Sequence, residues 1–130
     1  MLKSLIAIVM LAAGCGTTLQ ETQINPAPHA MAARPAASVE VFSSGPPARA
    51  HVDVALLEAR QTSGMSGDDT ADFISKLRQQ AADRGCDGIV LGGVTNETVG
   101  SGRNEDNRKG ITATCIVYTA PATVTATATE

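Results

Sequence analysis

The sequence has almost no aromatic side chains. Phe42, Phe73 and Tyr118 are the only three among 130 residues, and tryptophan is absent. A core must therefore be packed from Val, Ile, Leu and Ala. The shortage also argues against a deep ligand cleft, because small-molecule sites are lined mostly by hydrophobic and aromatic side chains. A small domain with so modest a core often needs a covalent crosslink.

An excess of basic charge is lacking as well. The chain has 10 Lys and Arg against 13 Asp and Glu, a formal net charge of −3. Its nearest basic cluster, Arg103, Arg108 and Lys109, is interleaved with Glu105 and Asp106. No basic stripe or aromatic stacking platform is present, so nucleic acid is not an expected partner.

No apolar run is long enough to cross a membrane permanently. The longest, from Leu5 to Ala13, follows Lys3 and has roughly ten residues, whereas a membrane-spanning helix needs about 20. This apolar run is therefore too short for a membrane-spanning helix, and an ordinary secretory signal peptide is the second candidate for residues 1–14. However, Ala12-Ala13-Gly14-Cys15 resembles the lipobox of bacterial lipoproteins, with Ala12 where a larger aliphatic residue is usual.

The lipobox resemblance implies that residues 1–14 are a signal peptide and that Cys15 is the lipidation site. More than one acyl chain gives stable membrane anchoring, so the membrane is an expected partner. Gly16 stands where Asp would favour the inner membrane. The expected location is therefore the bacterial cell envelope, with the outer membrane, facing the periplasm, favoured over the inner membrane.

The composition divides the remaining chain into three parts. Residues 15–38 are rich in Thr, Gln, Ala and Pro, which predicts a lipidated flexible tether in which His29 is an exposed bystander. Residues 39–119 carry the periodic apolar pattern of a domain. Residues 120–130 are Ala- and Thr-rich and predict a disordered tail, with an added edge strand as the alternative.

Within the domain, the pattern predicts strand, strand, helix, strand, strand. The strands are Val39 to Phe42, His51 to Ala59 with Val52, Val54 and Leu56 on its buried side, Gly88 to Val94, and Ile111 to Thr119. A helix over Ala55 to Gln61 is the alternative for part of the second strand. Asp69 is placed to cap a helix that Gly85 ends. Residues 95–109 read as a mobile loop. The predicted fold class is α+β, a small two-layer sandwich with one helix on a three- to four-stranded mixed sheet in ββαββ order.

The other two cysteines predict a disulfide between Cys86 and Cys115. Both would lie outside the cytoplasm, and lipidation of Cys15 leaves an even number. Two buried thiols that never meet are the alternative. A metal site built from His51, Cys86, Asp87 and Cys115 is disfavoured, because no close-spaced ligand pair is present. We expect no metal and no other cofactor.

Catalytic motifs are missing from the sequence. It has no G-x-S-x-G elbow, and its Gly-rich segments lack the Lys-Ser/Thr of a P-loop. Asp53 and Glu58 are the carboxylates considered for acid–base chemistry, and they look like ordinary solvated charges. The sequence therefore predicts a protein that is not an enzyme.

A resemblance appears in "SKLRQQAADRGCDGIVL". Many small bacterial envelope lipoproteins, including uncharacterised ones, carry a helix ending Leu-Arg-x-x-Ala-Ala-x-x-Gly-Ala-Asp and then an aliphatic strand. The matching residues here are Leu77, Arg78, Ala81, Ala82, Gly85, Asp87, Ile89 and Val90, with Cys86 replacing the commoner Ala. The layout of residues 39–119 looks like that of the stress-sensing lipoproteins of the Rcs phosphorelay, which have more than one disulfide.

The resemblance implies a non-enzymatic, membrane-anchored envelope lipoprotein that contacts another envelope protein or senses envelope stress. A periplasmic module that binds a small ligand or a metal is the alternative. A hydrolytic enzyme using Asp53 or Glu58 is the third hypothesis.

Overall fold

A computed structural model describes residues 17–62 and 69–119 of the chain. In this part, a five-stranded mixed sheet carries one helix on one face. The strands are β1 (Thr17–Gln23), β2 (Glu40–Phe42), β3 (His51–Gln61), β4 (Gly88–Val99) and β5 (Asp106–Tyr118), and the helix is α1 (Thr70–Arg84). The predicted α+β class is confirmed. The predicted count of three to four strands and the ββαββ order are wrong, because another strand precedes them.

The strands lie side by side in the order β1-β3-β5-β4-β2. β5 is antiparallel to both β3 and β4, so these two are parallel to each other with β5 between them. The chain leaves β3, crosses the sheet through α1 and returns as β4. This crossover leaves room for one strand, which β5 fills by folding back from β4.

The ends of α1 are fixed by the residues predicted to cap it. The Asp69 side chain accepts a hydrogen bond from the backbone N–H of Asp72, and the Asp72 side chain accepts one from the backbone N–H of Asp69. This reciprocal pair is a capping box, which satisfies two donors at the start of the helix. The face toward the sheet is apolar: its buried side chains are Phe73, Leu77, Ala81 and Ala82.

Strand β3 confirms the choice of a strand over a helix, but not its predicted faces. The pattern placed Val52, Val54 and Leu56 together on the buried face. A β-bulge between Asp53 and Ala55 shifts the register against β5, so Val54 and Ala55 are both buried. Beyond the bulge, Leu57 faces the core and Leu56 is 38% exposed on the opposite face.

The segment predicted as a flexible tether is part of the fold from residue 17 onward. β1 pairs with β3 along its whole length, from Thr17 opposite Gln61 to Gln23 opposite Ala55. Residues 24–38 then cross to the helix side, where Ala27, Met31 and Ala36 pack on the core. His29 is exposed as predicted, and its Nε2 lies 3.2 Å from the Tyr118 carbonyl oxygen. The domain therefore begins at least 22 residues earlier than the predicted boundary at residue 39.

The predicted loop between β4 and β5 is mostly strand. Pairing continues from Val94 opposite Ile111 to Val99 opposite Asp106, and a short 3-10 turn at Gly102–Asn104 closes the hairpin. We call residues 96–109 the hairpin arm. Its residues are mainly polar because the arm extends past the helix and exposes both faces, so the apolar alternation that marks a half-buried strand is absent.

Cys15, residues 1–14 and the tail at 120–130 lie outside the described residues. Within the part that is described, no helix is long and apolar enough to cross a membrane.

Candidate functional site

A network of hydrogen bonds, an ion pair and a disulfide surrounds residues 85–87, which we call the junction. It connects the end of α1 to the start of β4 and includes Cys86. The predicted pairing is present: Cys86 and Cys115 are joined by a disulfide, with their Cα atoms 5.7 Å apart. Both side chains are fully buried. Since Cys115 lies in the central strand β5, the bond links the helix layer to the middle of the sheet.

Gly85 makes the turn that brings Cys86 to the sheet. Its φ of 96° lies in the left-handed region. The N–H of Gly85 donates to the carbonyl oxygens of Ala81 and Ala82, and the N–H of Cys86 donates to Ala81. This is a Schellman arrangement, in which the reversed turn satisfies the last carbonyls of the helix.

Asp87 ties together three parts of the chain. Its Oδ1 lies 2.5 Å from the Arg34 guanidinium, and its Oδ2 accepts a 2.8 Å hydrogen bond from the backbone N–H of Tyr118. Its own backbone N–H donates to the carbonyl of Ile116, and its carbonyl accepts from the N–H of Glu40. Asp87 therefore fixes both β2 and β5 beside the junction.

Two arginines clamp the 3-10 turn at Ala36–Ser38. Arg34 donates from Nε to the Ser38 hydroxyl and from a terminal nitrogen to the Ser38 carbonyl. Arg78 approaches from α1 and donates to the carbonyls of Val39 and Ala37. Together with buried Leu77, Ala81, Ala82 and Ile89, these contacts give most of the Leu-Arg to Gly-x-Asp motif a structural role.

We expect Asp87→Asn to lower the free energy of unfolding by about 1–3 kcal/mol, because an amide can accept from only one of the two donors that face Asp87. Its NH2 group would then oppose either Arg34 or the Tyr118 N–H. Urea unfolding of the purified domain measures the loss. The matched control is Asp83→Asn, since Asp83 only accepts from Gln79 on the exposed face of α1. That control should stay within about 0.5 kcal/mol of wild type, and equal losses would contradict the role of Asp87.

A second polar cluster lies at the end of the sheet where β5 finishes. The guanidinium carbon of Arg49 stands 3.8 Å from the centre of the Tyr118 ring, a cation–π contact. Burial, and then the neighbouring Glu40 carboxylate, which accepts a hydrogen bond from the phenol, raise the pKa of Tyr118 above its usual value. The phenol is therefore a neutral structural group at physiological pH.

The residues of the disfavoured metal site do not converge on a common point. Cys86 and Cys115 are bonded to each other, and Asp87 is engaged by Arg34 and the Tyr118 N–H. The Nδ1 of His51 lies 2.7 Å from the Arg49 carbonyl oxygen. In residues 17–62 and 69–119, no group of three or more His, Cys, Asp or Glu side chains could hold a metal ion.

Asp53 and Glu58 do not form a catalytic pair. They are five residues apart on β3, which corresponds to about 16 Å along an extended strand. Asp53 is exposed and lies 3.7 Å from His51, and Glu58 forms an ion pair with Arg60 at 2.5 Å. Each carboxylate thus has a local partner on its own strand.

Several residues of these clusters carry no signal in the sequence. Arg34 lies in the segment predicted as a tether, and Arg49 and Tyr118 are 69 positions apart. The recurrence of Asp87 in the motif pointed to the junction, as Gly85 and Cys86 did, but it did not identify the partners of that carboxylate.

These features define a small α+β domain with a disulfide-linked helix. No protein-family model and no curated protein matches the sequence. The fold is similar to the crystal structure of the Francisella virulence factor FvfA, with a TM-score of 0.50 and 11% sequence identity. The similarity covers 80% of this chain and 99% of FvfA. At this identity the likeness concerns the fold alone.

Proposed function

We propose that this protein is a lipid-anchored lipoprotein of the bacterial cell envelope, with an interaction or stress-sensing role and no catalytic activity. The observation that carries the proposal is the distribution of the three cysteines. Two are bonded to each other in the core, and the third follows an apolar leader at the position that resembles a lipobox. A buried disulfide suits an oxidising compartment, and a lipobox directs a protein to one.

Two structural features support an interaction role over catalysis. The charged residues around the junction hold the fold together, as the Arg34–Asp87 pair illustrates. On the sheet face opposite α1, Leu56 is 38% exposed. A broad sheet face with an exposed apolar residue suits contact with another protein better than enclosure of a small substrate. The Rcs-type resemblance, with its envelope partners, points the same way.

We expect Cys15→Ser to abolish incorporation of labelled palmitate and to move the protein from the membrane to the soluble fraction, because the substitution removes the acylated thiol. Label and protein are measured on the same gel, so that changes in abundance cancel. The control is the Cys86→Ser/Cys115→Ser variant, which keeps Cys15 and should retain the label per molecule. An unlabelled wild-type chain, or a labelled Cys15→Ser chain, would refute lipid anchoring.

The same strains test the interaction role. Brief crosslinking of intact cells should convert part of the wild-type protein into a discrete species of higher mass, and release by Cys15→Ser should reduce it. If the wild-type protein stays monomeric after crosslinking, the interaction role is wrong even if the anchor is correct.

A further inference from the structure

The two ends of the sheet differ in which segments they carry. Thr18, Arg60, Gly110 and Thr95 form one row across β1, β3, β5 and β4. Beyond this row β1 has only Thr17, whereas β4 and β5 continue through four more pairs, from Asn96 opposite Lys109 to Val99 opposite Asp106. At about 3.3 Å per residue, the hairpin arm projects roughly 13 Å past the row before its terminal turn.

The proposed lipid attachment site joins the sheet at this same end, because it directly precedes β1 in the sequence. Cys15 precedes Thr18 by three residues. A chain spans at most about 3.6 Å per residue, so the Cα of Cys15 lies no more than about 11 Å from that of Thr18. The hairpin arm therefore reaches about as far from the row as the anchored residue can. Because β1 begins two residues after Cys15, the chain has no spacer that would hold the domain away from a bilayer.

We propose that the short connection between Cys15 and β1 holds the hairpin arm against the bilayer surface, as a second membrane contact beside the lipid anchor. The inference rests on the proposed lipidation of Cys15. The occupant of this surface is the headgroup layer of the phospholipids. The cluster of Arg49 and Tyr118, at the opposite end of the sheet, then faces away from the membrane.

The chemistry of the arm fits zwitterionic headgroups. Its side chains are mostly polar and exposed, and its charges balance, with three basic and three acidic residues: Arg103, Arg108, Lys109, Glu97, Glu105 and Asp106. Glu97 pairs with Arg60, and Arg108 pairs with Asp106, so the phosphate and the ammonium of phosphatidylcholine would join existing ion pairs of the arm. The contact should therefore not require anionic lipid.

The test uses the full processed lipoprotein in phosphatidylcholine vesicles that contain a lipid with a nitroxide on its headgroup. A fluorophore is attached to an engineered thiol, Ser101→Cys on the arm or Ala50→Cys at the far end, under conditions that leave the native disulfide intact. Both positions are exposed. Twelve residues of β5, or about 40 Å, separate the two ends of the sheet. We expect the headgroup nitroxide to quench most of the fluorescence of a fluorophore at position 101. A fluorophore at position 50 should lose little of its fluorescence.

A spacer variant separates the arm contact from simple anchoring. Twenty Gly and Ser residues inserted after Gly16 should leave the protein on the vesicles and restore most of the fluorescence at position 101. Equal quenching at both positions, no quenching at position 101, or unchanged quenching with the spacer would each overturn the arm contact. A protein that carries no acyl chains and does not bind vesicles would instead overturn the proposed lipidation.

Discussion

Replacing Cys86 and Cys115 together with alanine should lower the free energy of unfolding by about 3–4 kcal/mol in the chain-entropy model of crosslinks. The bond closes a segment with a sequence separation of 29 residues, so its loss returns considerable freedom to the unfolded chain. Small domains are stable by only about 5–15 kcal/mol in total. The crosslink would therefore account for a large share of the stability of this domain, whose core has few aromatic side chains.

Urea unfolding of the oxidised wild type, the reduced wild type and the double variant measures this effect. The reduced wild type is the control, because it lacks the bond but keeps both sulfur atoms and leaves no cavity. Both altered forms should unfold at lower urea, and the double variant should lose slightly more. A loss below about 1 kcal/mol in the reduced protein would contradict the predicted contribution of the crosslink.

Gly85→Ala should destabilise the domain by about 2–4 kcal/mol, since it combines a left-handed backbone with a direct clash. An alanine Cβ at this position would stand 2.5 Å from the carbonyl oxygen of Ala32 and 2.8 Å from its nitrogen. Both are backbone atoms, so a side-chain rotation cannot relieve the contact. The segment that covers the end of α1 would have to move away, and the contacts of Arg34 would move with it.

Gly45→Ala is a matched control for Gly85→Ala. Gly45 also has a left-handed φ, 105°, but a Cβ there would meet no atom within 4 Å. The Gly45→Ala substitution should lower the free energy of unfolding by about 1 kcal/mol, because it strains the backbone without causing a clash. The unfolding free energies of both variants are measured by chemical denaturation, and the extra loss in Gly85→Ala is the contribution of the clash. If the two substitutions cost the same, the close packing of Ala32 on Gly85 does not contribute to stability.

The sequence predicts the helix well because its signals are local. Asp69, Asp72 and Gly85 act on backbone groups within a few residues, so they have the same meaning in any fold. The disulfide was predictable for a different reason, namely the small number of cysteines. The structure also explains how the pair meets: Cys86 lies at the junction, before β4 begins at Gly88, and approaches Cys115 from the helix layer.

The remaining elements depend on distant partners. β1 has a single large apolar residue, Leu19, which is 41% exposed, so the strand is held by backbone pairing with β3 and by contacts such as the Glu21–Arg84 ion pair. The hairpin arm likewise lacks a buried face. Hydrophobic periodicity reports burial and not hydrogen bonding, so it cannot detect strands of either kind. The partners of Asp87 were equally invisible, since Arg34 lies 53 positions away.

The short length of β2 has a consequence for self-association. β2 pairs with Gly88, Ile89 and Val90 only, so among the described strands none covers the outer side of β4 from Leu91 to Val99. An open strand edge invites pairing with a second copy, above all where molecules are concentrated in two dimensions, as a lipid anchor would do. The irregular register between Leu91 and Val94 and the charge of Glu97 break the flat edge that such pairing requires. If the proposed lipid anchor concentrates the protein on a membrane, these two features would oppose its assembly into aggregated sheets.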